Sequence, residues 1–138
     1  MKEPKLIKLK HVEDELSHLV VAEGYVNIPF VPKRVLWVYG FQDGGHRKSK
    51  ATRVGEQIFI AIHGGFSVKA TWFDHGKRKD KEFRLDDPSV GVYMPPGIWR
   101  SLSDFTDSAI CLDLCSNYHD EDDHIRDFER FKEECGVR

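Results

Sequence analysis

Short apolar runs recur along the chain, and turn residues separate them. "LVVAEG" (19–24) and "KRVLWVYG" (33–40) come first. "EQIFIAIHGG" and "FSVKATWFDHG" follow and predict a hairpin across Gly64 and Gly65. Asp74, His75 and Gly76 predict a second turn, leading to "KEFRLDD". "SVGVYMPPG" ends at Pro95, Pro96 and Gly97, and "SAICLDLCSNY" is the last such run. β-Branched and aromatic residues fill these segments, while Gly, Pro and Asp punctuate them. The spacing predicts an all-β antiparallel sandwich or barrel.

The tail follows another period. In "DEDDHIRDFERFKEE" the apolar residues Ile125, Phe128 and Phe131 recur every third position. Acidic residues lead and Lys132 follows, which suits the charge preference of a helix. One C-terminal helix is predicted to lie against the sheet.

Between the second and third apolar runs lies "RKSKATRVGEQ", residues 47–57. If this stretch is extended, Lys48, Lys50 and Thr52 share one face. Two readings stand. The charges either line a site for an anionic ligand, or they are a solvated row on an edge strand that discourages sheet aggregation.

Composition narrows the choice. A chain of 138 residues has the length of one domain, here 1–138, and can bury a core without staples. Hydrophobic residues make up 40% and charged residues 32%, as in soluble globular proteins. A formal net charge of −2 argues against a general nucleic-acid or membrane-surface binder. No run reaches the roughly 20 apolar residues of a membrane span, and the first residues lack a signal-peptide core. Cys111, Cys115 and Cys135 show no metal-type spacing, so reduced thiols and a cytoplasmic location are expected. Cys111 and Cys115 sit in an apolar run and read as core fillers.

Several stretches together resemble a known family. "VAEG", "IPF" and "KRV", then "HGG", then "GVYMPPGIW", then "SNYHDEDDHIRDFERF" are similar to the sugar-nucleotide 3,4-ketoisomerases of the cupin superfamily. The last of these resembles that family's "SDYYDExDYIRxYxxF". The likeness runs from about Leu19 to Phe131. It implies a cupin-type jelly roll or β-barrel, usually a homodimer, acting without a metal or other cofactor. The implied substrate is a thymidine-diphosphate-linked 4-keto-6-deoxyhexose of deoxysugar and surface-polysaccharide biosynthesis. The implied reaction moves the ketone from C4 to C3.

The family motif R-G-x-H-A-H-K-x-x-x-Q falls without gaps on residues 47–57. Arg47, Ala51 and Gln57 match, and Arg53 keeps the charge of the lysine. Lys50 and Thr52 stand where the family has histidines, and Arg100 stands where it has a third. His46 lies outside this register. A keto shift needs a base, a proton donor and stabilisation of an oxyanion. Lys50 can serve as base only with a strongly lowered pKa, which burial and nearby cations favour. Thr52 is a weak donor, though it can hydrogen-bond a sugar hydroxyl.

Three readings stay open: an isomerase using Lys50, a protein running a different step on a sugar nucleotide, and a non-catalytic sugar-nucleotide binder. A buried Lys50 facing a pocket with Arg47 and Arg100 points to an enzyme. An exposed Lys50, or a pocket closed by Arg100, points to a binder.

The expected site is therefore Lys50 and Thr52 for catalysis, with Arg47, Arg53, Gln57, Tyr93, Trp99 and Arg100 for substrate. Arg47 and Arg53 suit a diphosphate. Tyr93 and Trp99 read either as stacking surfaces or as core, and Trp37 and Tyr39 carry the same ambiguity. His119 and His124 sit in an acidic run, but on a helix their i, i+5 spacing puts them on different faces, against a metal pair; the family motif has tyrosines at both places, so they read as packing or surface. The cupin metal set of two histidines near a glutamate is not found, so no metal is expected.

Overall fold

The computed structural model describes residues 2–42 and 44–137. Among the described residues twelve strands and one α-helix form: β1 (Lys5–Lys8), β2 (Lys10–Glu13), β3 (His18–Val21), β4 (Arg34–Val38), β5 (Arg47–Thr52), β6 (Gln57–His63), β7 (Phe66–Asp74), β8 (Lys77–Leu85), β9 (Val90–Met94), β10 (Trp99–Ser103), β11 (Ile110–Cys115), β12 (His124–Ile125) and α1 (Phe128–Glu134). Two five-stranded sheets run β1-β9-β6-β11-β4 and β12-β5-β10-β7-β8, and β2 and β3 form a separate hairpin. Every strand pair in these sheets is antiparallel. This is the all-β antiparallel sandwich that the apolar runs predict, in the jelly-roll form that the cupin resemblance implies.

Alternation sets the core. Phe59 and Ala61 of β6, Val92 and Met94 of β9, and Phe66, Val68, Ala70 and Trp72 of β7 all belong to one buried cluster. Ile58 and Ile60 alternate with Phe59 and Ala61, so they belong to a second cluster with Leu9, Ile28, Phe30 and Tyr93. From Ile58 to Ala61 β6 is therefore apolar on both faces, because the segments carrying Leu9, Ile28 and Phe30 cover the outer one.

Two expectations need correction. Gly64 and Gly65 do not make a hairpin, since β6 and β7 lie in different sheets. Gly64 takes φ 63°, and a side chain there would meet the Ala109 backbone at 2.9 Å, so the two glycines carry a close crossing between layers. The true hairpin joins β7 to β8 through His75 (φ 51°) and Gly76 (φ 79°), a turn with two left-handed residues.

The helix is also shorter than its acidic lead suggests. Glu121–Asp123 is a 3-10 turn and His124–Ile125 pairs with β5, so α1 starts at Phe128. Asp127 caps it by accepting from the Arg130 amide. Phe131 and Ile125 pack with Ala51 on the outside of the second sheet.

Candidate active site

A cavity of about 550 Å³ opens between the two sheets, within the size range of small-molecule sites. Its wall includes Lys50, Arg47 and Lys48 of β5, Arg100 of β10, Asp113 of β11, Gln57 of β6, and Arg34 of β4. β5 runs from solvent into the body: Arg47 and Lys48 are exposed, Lys50 is half-buried and Thr52 is buried. Its alternation carries Lys50 inward while Ala51 faces the helix side.

Charge converges here. Arg100 is buried and sits opposite Lys50 in the antiparallel register of β5 and β10. Burial and the Arg100 guanidinium lower the Lys50 pKa to about 8, although Asp113 opposes the shift. Burial likewise brings Arg100 down to about 10, so its guanidinium keeps its charge at neutral pH. Burial raises Asp113 to about 6 against the pull of Arg100. Gln57 fixes this carboxylate by donating through Nε2 at 2.8 Å.

Among the described residues, five buried side-chain polar atoms have no hydrogen-bond partner, and three belong to this wall: Arg34 Nε, Gln57 Oε1 and Arg100 Nη2. Native interiors seldom leave such atoms unpaired, so their clustering marks a place for a polar ligand.

The expected residues divide. Lys50, Arg47, Gln57 and Arg100 come together. Thr52 faces the same sheet side but its hydroxyl donates to the Gly55 carbonyl at 2.7 Å and accepts from Arg100 at 3.4 Å. That leaves it no proton to offer a substrate. Arg53 turns away: it grips Glu134 on α1 through Nε and Nη2, both at 2.8 Å, and donates to the Asp122 carbonyl. Alternation with Thr52 puts it on the opposite face. Tyr93 packs in the outer cluster on the first sheet, and its hydroxyl donates to Glu56. Trp99 packs against Phe128 and Phe131, with ring centroids at 5.4 and 5.7 Å. Arg53, Tyr93 and Trp99 therefore lie outside the wall of this cavity.

The structure adds residues that the sequence reading set aside or did not single out. Asp113, Arg34, His46, Arg126, His119 and His124 all line the cavity. His119 and His124 are not on a helix, so their spacing does not separate them; their rings meet edge-on at 5.5 Å. Asp123 pulls this segment onto the sheet by accepting from the amides of Arg53, Val54 and Gly55 at 3.0, 2.7 and 3.1 Å. Trp37 and Tyr39 are exposed, which settles them as neither core nor cavity wall.

Among the described residues, His11, Glu13 and His18 form the one group close enough to share a metal ion. They lie on the exposed β2–β3 hairpin and none lines the cavity. No described helix is long and apolar enough to cross a membrane.

The FdtA family, described as WxcM-like, C-terminal, matches residues 2–136. The chain belongs to this family. It is 34% identical over 130 residues to the TDP-4-oxo-6-deoxy-alpha-D-glucose-3,4-oxoisomerase of Aneurinibacillus thermoaerophilus, covering 94% of this chain and 91% of the relative. The structure superposes with a TM-score of 0.89 on QdtA, a sugar 3,4-ketoisomerase from Thermoanaerobacterium thermosaccharolyticum in complex with TDP. Those chains are 33% identical over 96% of this one and 94% of the other. The TDP-fucose-3,4-ketoisomerase WlaRA of Campylobacter jejuni is 30% identical with a TM-score of 0.85, covering 97% of this chain and 94% of its own. All three relatives are named as sugar 3,4-isomerases, two of them of TDP-sugars, and the two solved structures share this fold.

Proposed function

We propose that this chain is a 3,4-ketoisomerase of a thymidine-diphosphate-linked 4-keto-6-deoxyhexose. The observation that carries the reading is Lys50: half-buried, facing the cavity, with a pKa near operating pH. That is the condition for an enzyme base, and the cavity is not closed by Arg100. It favours catalysis over mere binding.

The steps balance within the sugar. The neutral Lys50 amine takes the proton from C3, beside the C4 carbonyl. The C3–H electrons form the C3=C4 bond of an enediolate, and the negative charge moves to O4. Arg100 lies opposite Lys50 and offers an unpaired Nη2–H toward that charge. O4 takes up a proton as O3 gives one up, and the Lys50 ammonium returns its proton to C4, which restores the neutral amine. C3 is thereby oxidised to the ketone and C4 reduced to the alcohol, with no external electron carrier.

Arg47 and Lys48, at the exposed end of β5, hold the diphosphate. Gln57 is oriented by Asp113, which leaves its Oε1 free to accept from a sugar hydroxyl. Three free thiols fit a cytoplasmic site of action.

Two copies pair in this proposal through the edge strand β4. Val35 and Trp37 of β4 and Tyr39 just beyond it alternate along the chain and are all exposed, at 49%, 61% and 70%. Such an apolar row on a sheet edge suits an interface. Light scattering of the pure protein should give twice the 16.0 kDa chain mass, and Trp37→Lys should return it to one chain mass.

The test of the activity is incubation with TDP-4-keto-6-deoxyglucose followed by carbon NMR. A ketone carbon at C3 is expected. Unchanged C4 ketone after prolonged incubation contradicts the reading.

A further inference from the structure

The isomerase reading leaves one role unfilled. Thr52 stands where the family has its second histidine, and its hydroxyl proton is committed to Gly55. The residue across the strand from Thr52 is His124: β12 pairs with β5 in the register His124 to Thr52, Ile125 to Ala51. Directly opposed residues of an antiparallel pair share a face. The imidazole therefore enters the same cavity from the neighbouring strand, and its side chain is only 8% exposed.

Its tautomer follows from its neighbours. Arg126 Nη2 lies 3.1 Å from His124 Nδ1. A guanidinium has only donors, so Nδ1 accepts and the ring proton sits on Nε2. Arg126 is itself fixed by Glu121, through Nε at 2.6 Å and Nη2 at 3.0 Å. Nε2 has no hydrogen-bond partner among the described residues.

We infer that His124 is a catalytic residue of this site, donating its Nε2–H to the enediolate oxygen in place of the histidine that Thr52 has displaced. This rests on the isomerase reading. The chemistry is that of a neutral imidazole acting as electrophile: it hydrogen-bonds the developing O4 anion and passes its proton to it, then recovers the O3 proton as the second ketone forms. The ring ends as it began.

The surrounding charges support a neutral ring. Lys50 of β5, Arg100 of β10 and Arg126 of its own segment all disfavour a second proton, while Glu121 opposes them. Burial acts with the cations, and together they lower the His124 pKa to about 4. Asp113 of β11 and His119 complete the ionisable groups around the cavity on this side. A neutral donor that does not titrate between pH 5 and 8 is the form the mechanism needs.

The test joins kinetics and spectroscopy. Turnover of TDP-4-keto-6-deoxyglucose by the unaltered protein is read first. His124→Phe keeps the ring volume and removes both nitrogens. The expected loss in kcat is about 100-fold or more, the usual scale of a proton-transfer group, with KM and TDP binding unchanged. His124→Gln, which restores an N–H donor, should recover part of that loss. Independently of any variant, nitrogen-15 NMR of the unaltered protein should show His124 neutral with the proton on Nε2 from pH 5 to 8. Turnover that survives His124→Phe within twofold overturns the assignment and leaves the isomerase reading standing. So does a ring protonated on Nδ1. An unaltered protein with no turnover overturns the isomerase reading, and the role of His124 with it.

Discussion

Lys50 and Arg100 face each other across β5 and β10, two cations in direct antiparallel register beside one cavity. Like charges so placed are unfavourable in a sheet, and burial makes them more so. Asp113, fixed by Gln57, offsets part of the repulsion. The pair is retained at a cost in stability, which is the usual mark of a working site.

The first prediction is a pH profile. Lys50 must be unprotonated to take a proton, and its pKa lies near 8. kcat/KM should rise about tenfold per pH unit below that value and level above it. Lys50→Met should lower kcat by about 100- to 10,000-fold and remove this limb, with the fold intact by circular dichroism. A profile flat from pH 6 to 9 would show that another group is the base.

Arg47 is exposed at the open end of β5 and is assigned to the diphosphate. Arg47→Ala should raise KM for the sugar nucleotide by about 10- to 100-fold, the range of a lost charge-assisted hydrogen bond, with kcat nearly unchanged. TDP binding should weaken as salt rises. Steady-state kinetics checks the first statement, and calorimetry of TDP binding at two salt concentrations checks the second.

Arg53 makes the opposite case. Its guanidinium is bound to Glu134 of α1 and not to the cavity. Arg53→Ala should leave KM and TDP affinity unchanged and lower Tm by at most a few degrees. A large rise in KM would return Arg53 to the substrate.

Asp123 is buried and holds three backbone amides, with Asn117 Nδ2 at 3.2 Å as a fourth donor. Each buried donor left unpaired costs about 1–3 kcal/mol, so Asp123→Ala should lower denaturant stability clearly. It also frees the segment that carries His124, so kcat should fall more than KM rises. Urea unfolding and steady-state kinetics on the same sample separate the two effects.

Much of the fold was legible in the sequence. Runs of β-branched and aromatic residues set off by Gly, Pro and Asp marked the core strands β6, β7, β9 and β11, and β6 reads as a continuous run because both of its faces are covered. The β7–β8 turn was legible because His75 and Gly76 mark it chemically. The Gly64–Gly65 crossing was not, since glycines at a sheet-to-sheet crossing read like those of a hairpin. Lys50, Arg47, Gln57 and Arg100 were placed together by their match to a family motif. His124 was missed because a helical period was assumed for residues 120–134, whereas pairing with β5 holds Ile125 outside α1. The available signal was an exchange of types. Histidine is lost at 50 and 52 and gained at 119 and 124, where the family has tyrosine, and only the fold shows that His119 and His124 line the cavity with Lys50 and that His124 pairs with Thr52.

The central claim is that a base in this cavity removes the proton from C3. Proton NMR of the pure protein with TDP-4-keto-6-deoxyglucose in deuterated water reads that step directly. The account predicts loss of the C3 proton signal, accompanied by a 3-keto product, and no such loss with Lys50→Met. A C3 signal that persists while the nucleotide lines broaden on binding would contradict it, since the sugar would then be held without being turned over.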